Sequence, residues 1–205
     1  MSDLIQIVDA ALASAAARSG HHLVCKPGCF QCCIGVFPIS HEDAARLRES
    51  LRILEQTDPA KAGRIGARVA ESLTRLTPLF PGDSTTGVLA EDYENSFLFT
   101  DESEGSLGDN EPCPVLDPVT GTCDLYEHRP IVCRIFGPPM RTADGNLATC
   151  ELCYIHASTQ EIEAGELGPN IPTLEQQSNE SFNATHNTHG ETIVAFALRQ
   201  LVTIP

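Results

Sequence analysis

Four cysteines crowd into one short run, Cys25-Lys26-Pro27-Gly28-Cys29-Phe30-Gln31-Cys32-Cys33, and five more follow at Cys113, Cys123, Cys133, Cys150 and Cys153. Sulfur at this density constrains the chain more than any other feature, because the thiols must be cross-linked, buried or gathered on a soft metal. Thiolates suit zinc, copper(I) and iron–sulfur clusters, and a C-x-x-C gap lets one turn of backbone present two sulfurs to a single centre. Disulfide stapling is the competing use. It fits poorly with an odd count of nine cysteines, and it belongs mainly to exported proteins. Residues 1–19 are Ala-rich, but Asp3 and Asp9 interrupt the run and no basic segment precedes it, so a secretory leader is not expected. The expected location is the cytoplasm, a reducing compartment where clustered cysteines hold metal more often than disulfides.

Length and charge frame the rest. The 205 residues, 41% of them hydrophobic, predict a single domain over 1–205 with a globular core. No apolar stretch approaches the length of a membrane span, so no membrane partner is expected. A formal net charge of −15 argues against a phosphate backbone, and no nucleic-acid partner is expected. Between Arg75 and Arg129 there is no Lys or Arg, while Asp83, Glu91, Asp92, Glu94, Asp101, Glu102, Glu104, Asp109 and Glu111 fall in that gap. Such a stretch reads as a solvated loop, with a docking surface for a basic partner as the alternative.

Hydrophobic periodicity places the helices. Ser2 can cap a helix over 3–18 with Leu4, Val8, Ala11 and Ala15 on one face, and Gly20 ends it. The first cysteine loop occupies 20–40. Ser40-His41-Glu42-Asp43 resembles a capping box with Asp in the usual Glu position, and it opens a helix with Ala44, Leu47, Leu51 and Leu54 at helical spacing. Asp58-Pro59 restarts the chain with Pro59 at a first helical position, and Ile65, Val69, Leu73 and Leu76 form the next stripe. An acidic insertion spans 77–112, with strand-like pieces at Val88-Leu89 and Phe97-Leu98-Phe99. The second cysteine group lies in 113–156 and includes a short helix starting near Pro130. Residues 157–190 read as a polar connector, and 193–202 as an apolar docking helix. The fold class expected is mostly α: a small helical domain around an irregular cysteine-rich metal-binding core.

The run Cys25-x3-Cys29-x2-Cys32-Cys33 is followed by Cys113-Pro114-Val115-Leu116, Gly121-Thr122-Cys123, Tyr126, Arg129-Pro130, Cys133-Arg134 and Phe136-Gly137. In this order the two halves resemble the YkgJ-like cysteine-cluster family, from about Cys25 to Cys153. The resemblance implies a zinc- or iron-chelating domain. It also implies kinship with flagellin lysine methylases, which carry such a domain in a longer chain.

The residues bear their own reading beside that one. Adjacent Cys32 and Cys33 diverge, so either they serve two centres or one ligates while the other packs nearby. The first run is short of a complete ligand set and is expected to draw on the distant group, which would turn metal-binding energy into folding energy. All nine cysteines are candidate ligands: Cys25, Cys29, Cys32, Cys33, Cys113, Cys123, Cys133, Cys150 and Cys153. His21, His22, His128 and His156 lie near them and could complete a mixed site. Arg129, Arg134 and Arg141 could offset thiolate charge, or could form ordinary ion pairs with Asp124 or Glu127. Tyr126 is expected to pack on the cysteine core. Between a 4Fe-4S cluster and Zn2+, the Cys25-x3-Cys29-x2-Cys32 spacing and the methylase kinship favour the cluster. The function expected is metal binding through thiolates of both groups, with electron transfer as a role. The alternatives are a metal-dependent enzyme, either methylase-like or built on the radical S-adenosylmethionine spacing, and a thiol redox protein using Cys29-x-x-Cys32 or Cys150-x-x-Cys153.

Overall fold

The computed structural model describes residues 3–96, 98–99, 107–142, 145–168 and 170–199. In chain order its regular elements are α1 (Asp3–Ser19), β1 (Pro38–Ser40), α2 (His41–Thr57), α3 (Pro59–Leu76), β2 (Gly82–Asp83) and β3 (Val88–Leu89). They continue with α4 (Leu107–Asn110), β4 (Leu116–Asp117), β5 (Thr122–Cys123), α5 (Ile131–Ile135), β6 (Met140–Arg141) and β7 (Leu147–Ala148). Last come α6 (Thr159–Ala164), α7 (Ile171–His186), β8 (Glu191–Ile193) and α8 (Val194–Leu198). Among the described residues strands are confined to short antiparallel pairs, and the protein is mostly α, as its periodicity implies. The chain divides into two compact units: Met1–Pro27 with Ile131–Ser181, and Gly28–Pro130 with Phe182–Pro205.

In the first unit, α1 turns one apolar face to α5. Leu4, Ile5, Val8 and Ala15 are buried with Ile131, Ile135, Leu167 and Ile171, and Ala11 packs beside them. This is the face expected from the spacing. Ser2, the expected cap, lies outside the described residues. Arg134 on α5 is almost fully buried and donates to Asp9 Oδ1 of α1 at 2.6 Å. A buried guanidinium needs such a partner, and the pair pins α5 to α1.

In the second unit, β1 and β8 pair with Pro38 opposite Ile193 and Ser40 opposite Glu191. The pair brings α2 and α8 together although their sequences lie far apart. Ser40 Oγ accepts from Asp43 N–H at 3.1 Å, which caps α2. The Asp43 carboxylate is engaged by Arg46 on the same helix. Asp58 Oδ1 accepts from Lys61 N–H at 2.9 Å, and Pro59 opens α3, where its missing N–H costs nothing. Ala44, Leu47 and Leu51 of α2, Ile65, Val69, Leu73 and Leu76 of α3, and all of α8 from Val194 to Leu198 are buried. Each such Leu or Ile removed from water contributes about 1.5–3 kcal/mol.

Three expectations change in detail. The polar stretch 157–190 carries α6 and α7 rather than a plain connector. The acidic stretch is not one solvated loop: β2 and β3 form a hairpin in it, and Glu111 is buried. Leu98 and Phe99 lie in a turn rather than a strand, while Phe97, Asp101, Glu102, Glu104 and residues 200–202 lie outside the described residues.

Candidate metal centre

Each cysteine group of the sequence is divided between the two units, and each unit draws on both groups. Cys25, Cys133, Cys150 and Cys153 fall in the first; Cys29, Cys32, Cys33, Cys113 and Cys123 fall in the second. All nine are among the described residues, and none forms a disulfide.

In the first unit, a turn closed by Cys153 N–H donating to Cys150 C=O (2.9 Å) sets the C-x-x-C pair. Both cysteines are buried with Tyr154 against Leu23, Ala157 and Ile162. Tyr154 takes a positive φ of 59°. Its N–H donates to His22 C=O at 2.9 Å, its ring stacks on His22, and its hydroxyl donates to Ser19 Oγ at the end of α1. These bonds tie the end of α1 to the C-x-x-C turn. Cys25, three residues beyond His22, then places its sulfur 4.0 Å from that of Cys153. Gly137 leaves room for it, since a Cβ there would lie 2.8 Å from Cys25 Sγ, and its φ of +127° also favours glycine. Cys133 lies on α5, four residues before Gly137.

In the second unit, the loop carrying Cys29, Cys32 and Cys33 lies against the hairpin carrying Cys113 and Cys123. Cys113 N–H donates to Cys33 C=O at 2.8 Å, and Gly35 N–H donates to Glu111 C=O at 2.9 Å. A bridge between Ile34 and Pro112 lies in the same register. Leu116 N–H turns back to Cys113 C=O at 2.9 Å, and Leu116 faces Cys123 across the β4–β5 pair. At the hairpin turn, a Cβ on Gly121 would lie 2.9 Å from the Phe30 ring, so only glycine admits this approach. The backbone thus puts both cysteine segments at one place.

Helix α3 holds that hairpin by three cations the sequence reading passed over. Arg75 donates through Nε and Nη2 to Glu111 at 2.9 and 2.8 Å. Arg68 donates to Pro114 C=O at 2.8 Å and to Asp124 Oδ2 at 2.6 Å, and Lys61 Nζ lies 3.2 Å from Asp124 Oδ1. The signal was present, since Lys61, Arg68 and Arg75 recur every seven residues and fall near one face of a helix. The ordinary ion pair considered for Asp124 exists, but its partners come from α3.

Thiol acidity in this unit is divided. A hydrogen bond from the Cys33 thiol lowers Cys32 to about 7 against the effect of burial, with help from the Arg129 charge. Burial pushes Cys113 up to about 12, and the neighbouring Cys123 and Cys32 add repulsion while Arg68 opposes it. Burial also raises Cys123, with Arg129 acting in the other direction. Arg129 is therefore within electrostatic reach of both Cys32 and Cys123, the charge-offsetting position considered for it. Arg141, by contrast, pairs with Glu166 at 2.6 Å. Tyr126 is half exposed, and its ring lies under Arg129, 3.9 Å from the guanidinium carbon, rather than packing in the core.

His22 Nε2 lies 3.3 Å from Glu161 Oε1. His21 and His156 are exposed, and His128 ends a 3-10 turn at Tyr126–His128.

The donor set fits a soft metal. A single tetrahedral zinc with Zn–S bonds of about 2.3 Å has sulfur–sulfur edges of about 3.8 Å. The Cys25–Cys153 separation of 4.0 Å is close to such an edge. Among the described residues, no three His, Cys, Asp or Glu side chains are gathered as they stand into a metal site. A metal would draw the remaining thiols in as it displaced their protons. Among the described residues no helix is long and apolar enough to cross a membrane.

A family model named CxxCxxCC, with the description "Putative zinc- or iron-chelating domain", matches residues 24–156. No curated protein and no solved structure matches the chain.

Proposed function

The chain belongs to the CxxCxxCC family of zinc- or iron-chelating domains, and from that premise we propose that thiolates of both cysteine groups hold an iron–sulfur cluster whose role is electron transfer. The ligands are drawn from Cys25, Cys29, Cys32, Cys33, Cys113, Cys123, Cys133, Cys150 and Cys153. The observation that carries metal binding is the approach of Cys25 Sγ to Cys153 Sγ, 4.0 Å apart across a sequence separation of 128 and without a disulfide. Bringing the exposed Cys25 up to the buried Cys153 has no obvious gain in packing, whereas a shared metal would reward it. The arginines near the second unit's thiols support a cluster there, since positive charge offsets gathered thiolate and raises a cluster's potential. Bound iron–sulfur supplies one-electron transfer; bound zinc supplies a structural knot.

Zinc is the second reading, and the same 4.0 Å separation favours it for the Cys25–Cys153 pair. Purification without oxygen followed by iron, zinc and sulfide analysis with a visible spectrum tests both. The cluster reading expects iron and sulfide with broad visible absorption that bleaches on reduction. A colourless protein with stoichiometric zinc replaces it by the second reading. Protein that binds neither metal, as purified or after reconstitution, overturns both.

A further inference from the structure

Cys25 and Cys29 are neighbours in one motif, yet they fall in different compact units, with the division at Pro27–Gly28. The second group is divided in the same way: Cys113 and Cys123 go with Cys29, Cys32 and Cys33, while Cys133, Cys150 and Cys153 go with Cys25. We propose that the protein holds two separate thiolate centres, one in each unit, and that the first unit's centre is a closed site for one tetrahedral ion of the zinc class. The proposal rests on the metal-binding reading above and assigns the ligand sets within it.

The first unit supplies four sulfurs, the number a closed tetrahedral site requires. Two of them come from a hydrogen-bonded C-x-x-C turn at Cys150 and Cys153, the arrangement that offers two sulfurs to one ion. The third, on Cys25, already stands at about the edge length of such a site from Cys153. The fourth, on Cys133, precedes by four residues the glycine whose Cα faces the Cys25 sulfur. A 4Fe-4S cluster places each cysteine on a different iron and spreads the sulfurs beyond a single tetrahedral edge, so the close pair points to two sulfurs on one metal atom rather than to that cluster. The Leu23, Ala157 and Ile162 side chains shield Cys150 and Cys153 from water, while Cys25 closes the site from its exposed side.

The second unit is complete without these four. Its loop and hairpin are joined by the Cys33–Cys113 backbone bond, and its five thiols exceed a four-ligand requirement by one. Five thiols on one side and four on the other account for all nine.

Cobalt(II), which reports tetrahedral thiolate ligation by charge-transfer and d–d absorption, is the probe. Metal-free protein is titrated with it, and protected cysteines are mapped by alkylation and peptide mass spectrometry in the wild type, in Cys150→Ser, and in the double variant Cys113→Ser/Cys123→Ser, which leaves the second unit three thiols. The proposal expects two equivalents in the wild type and one in each variant. Cys150→Ser is to lose protection at Cys25, Cys133 and Cys153 while the second unit keeps its own. The double variant is to lose protection at Cys29, Cys32 and Cys33 while keeping it at Cys25, Cys133, Cys150 and Cys153. Should a variant fail to fold, the wild type at one equivalent decides, because the thiols of a set must be protected together. Saturation at one equivalent, or protection of Cys25 together with Cys29 and Cys32 while Cys150 and Cys153 stay reactive, overturns the two-centre assignment alone. Failure to bind cobalt, zinc or iron overturns the functional reading beneath it.

Discussion

Cys32 and Cys113 belong to the same unit, and their surroundings drive their thiols in opposite directions. Cys32, lowered to about 7 by the Cys33 thiol, is half ionised at neutral pH, whereas Cys113, raised to about 12 by burial, is protonated throughout. Only the thiolate attacks an alkylating agent. Metal-free protein at pH 7 should therefore be carbamidomethylated at Cys32 at least ~100-fold faster than at Cys113, as followed by peptide mass spectrometry. Cys33→Ala should slow Cys32 by removing the thiol that donates to it, and equal rates at Cys32 in the two proteins would contradict the assigned cause. The candidate thiols themselves were legible in the sequence, since residue type and spacing mark them. Their acidities were not, because burial and the reach of Arg129 and Arg68 depend on how distant segments are brought together.

At the scale of elements, α3 is both a packing helix and the clamp on the Cys113–Cys123 hairpin. Glu111 and the Asp124 carboxylate are nearly buried, so removing Arg75 leaves the Glu111 charge without its ionic partner, and removing Arg68 leaves Asp124 to Lys61 alone. Breaking a fully buried pair costs about 3–5 kcal/mol. Arg68 and Arg75 keep side-chain exposures of 21% and 42%, which lowers the expected cost. Arg68→Ala and Arg75→Ala are each expected to destabilise by about 1–3 kcal/mol in chemical denaturation, with Arg68→Lys recovering part of the loss. No change in either would show that the clamp carries no energy.

Helix α6 has a full capping box, in which Ser158 Oγ accepts from Glu161 N–H and the Glu161 carboxylate accepts from Ser158. Those bonds from Ser158 hold Glu161 down to about 2. The sign follows: a carboxylate depressed in the fold supports the helix above its ordinary value of 4.5 and loses that support as pH falls toward about 2. Amide exchange in α6 should accelerate over that window in the wild type, and Glu161→Gln should flatten the dependence. Helices α2 and α3 were legible because long apolar stripes and caps at Ser40 and Asp58 coincide. Helix α7 was not, since Ile171 is its one buried residue among the described ones and its composition reads as a linker. The β1–β8 pair was hidden as well, because three-residue strands leave no alternation to detect and their pairing is a long-range choice.

At the scale of the whole molecule, the order of the cysteine motifs pointed to the family, and the mostly helical fold could be read from periodicity. The division of thiols between two units could not, because nothing in residue spacing sets Cys25 apart from Cys29. If metal holds each set, binding energy is folding energy in both units. Chelation should then lower the thermal midpoint, with recovery on adding metal back. The central claim is that the cysteines hold metal, and native mass spectrometry of protein prepared without oxygen tests it most directly. The account predicts a native mass above that of the nine-thiol polypeptide by the mass of bound metal or cluster, with the excess lost on denaturation. A native mass equal to the bare polypeptide, even after reconstitution with iron and sulfide or with zinc, would contradict it.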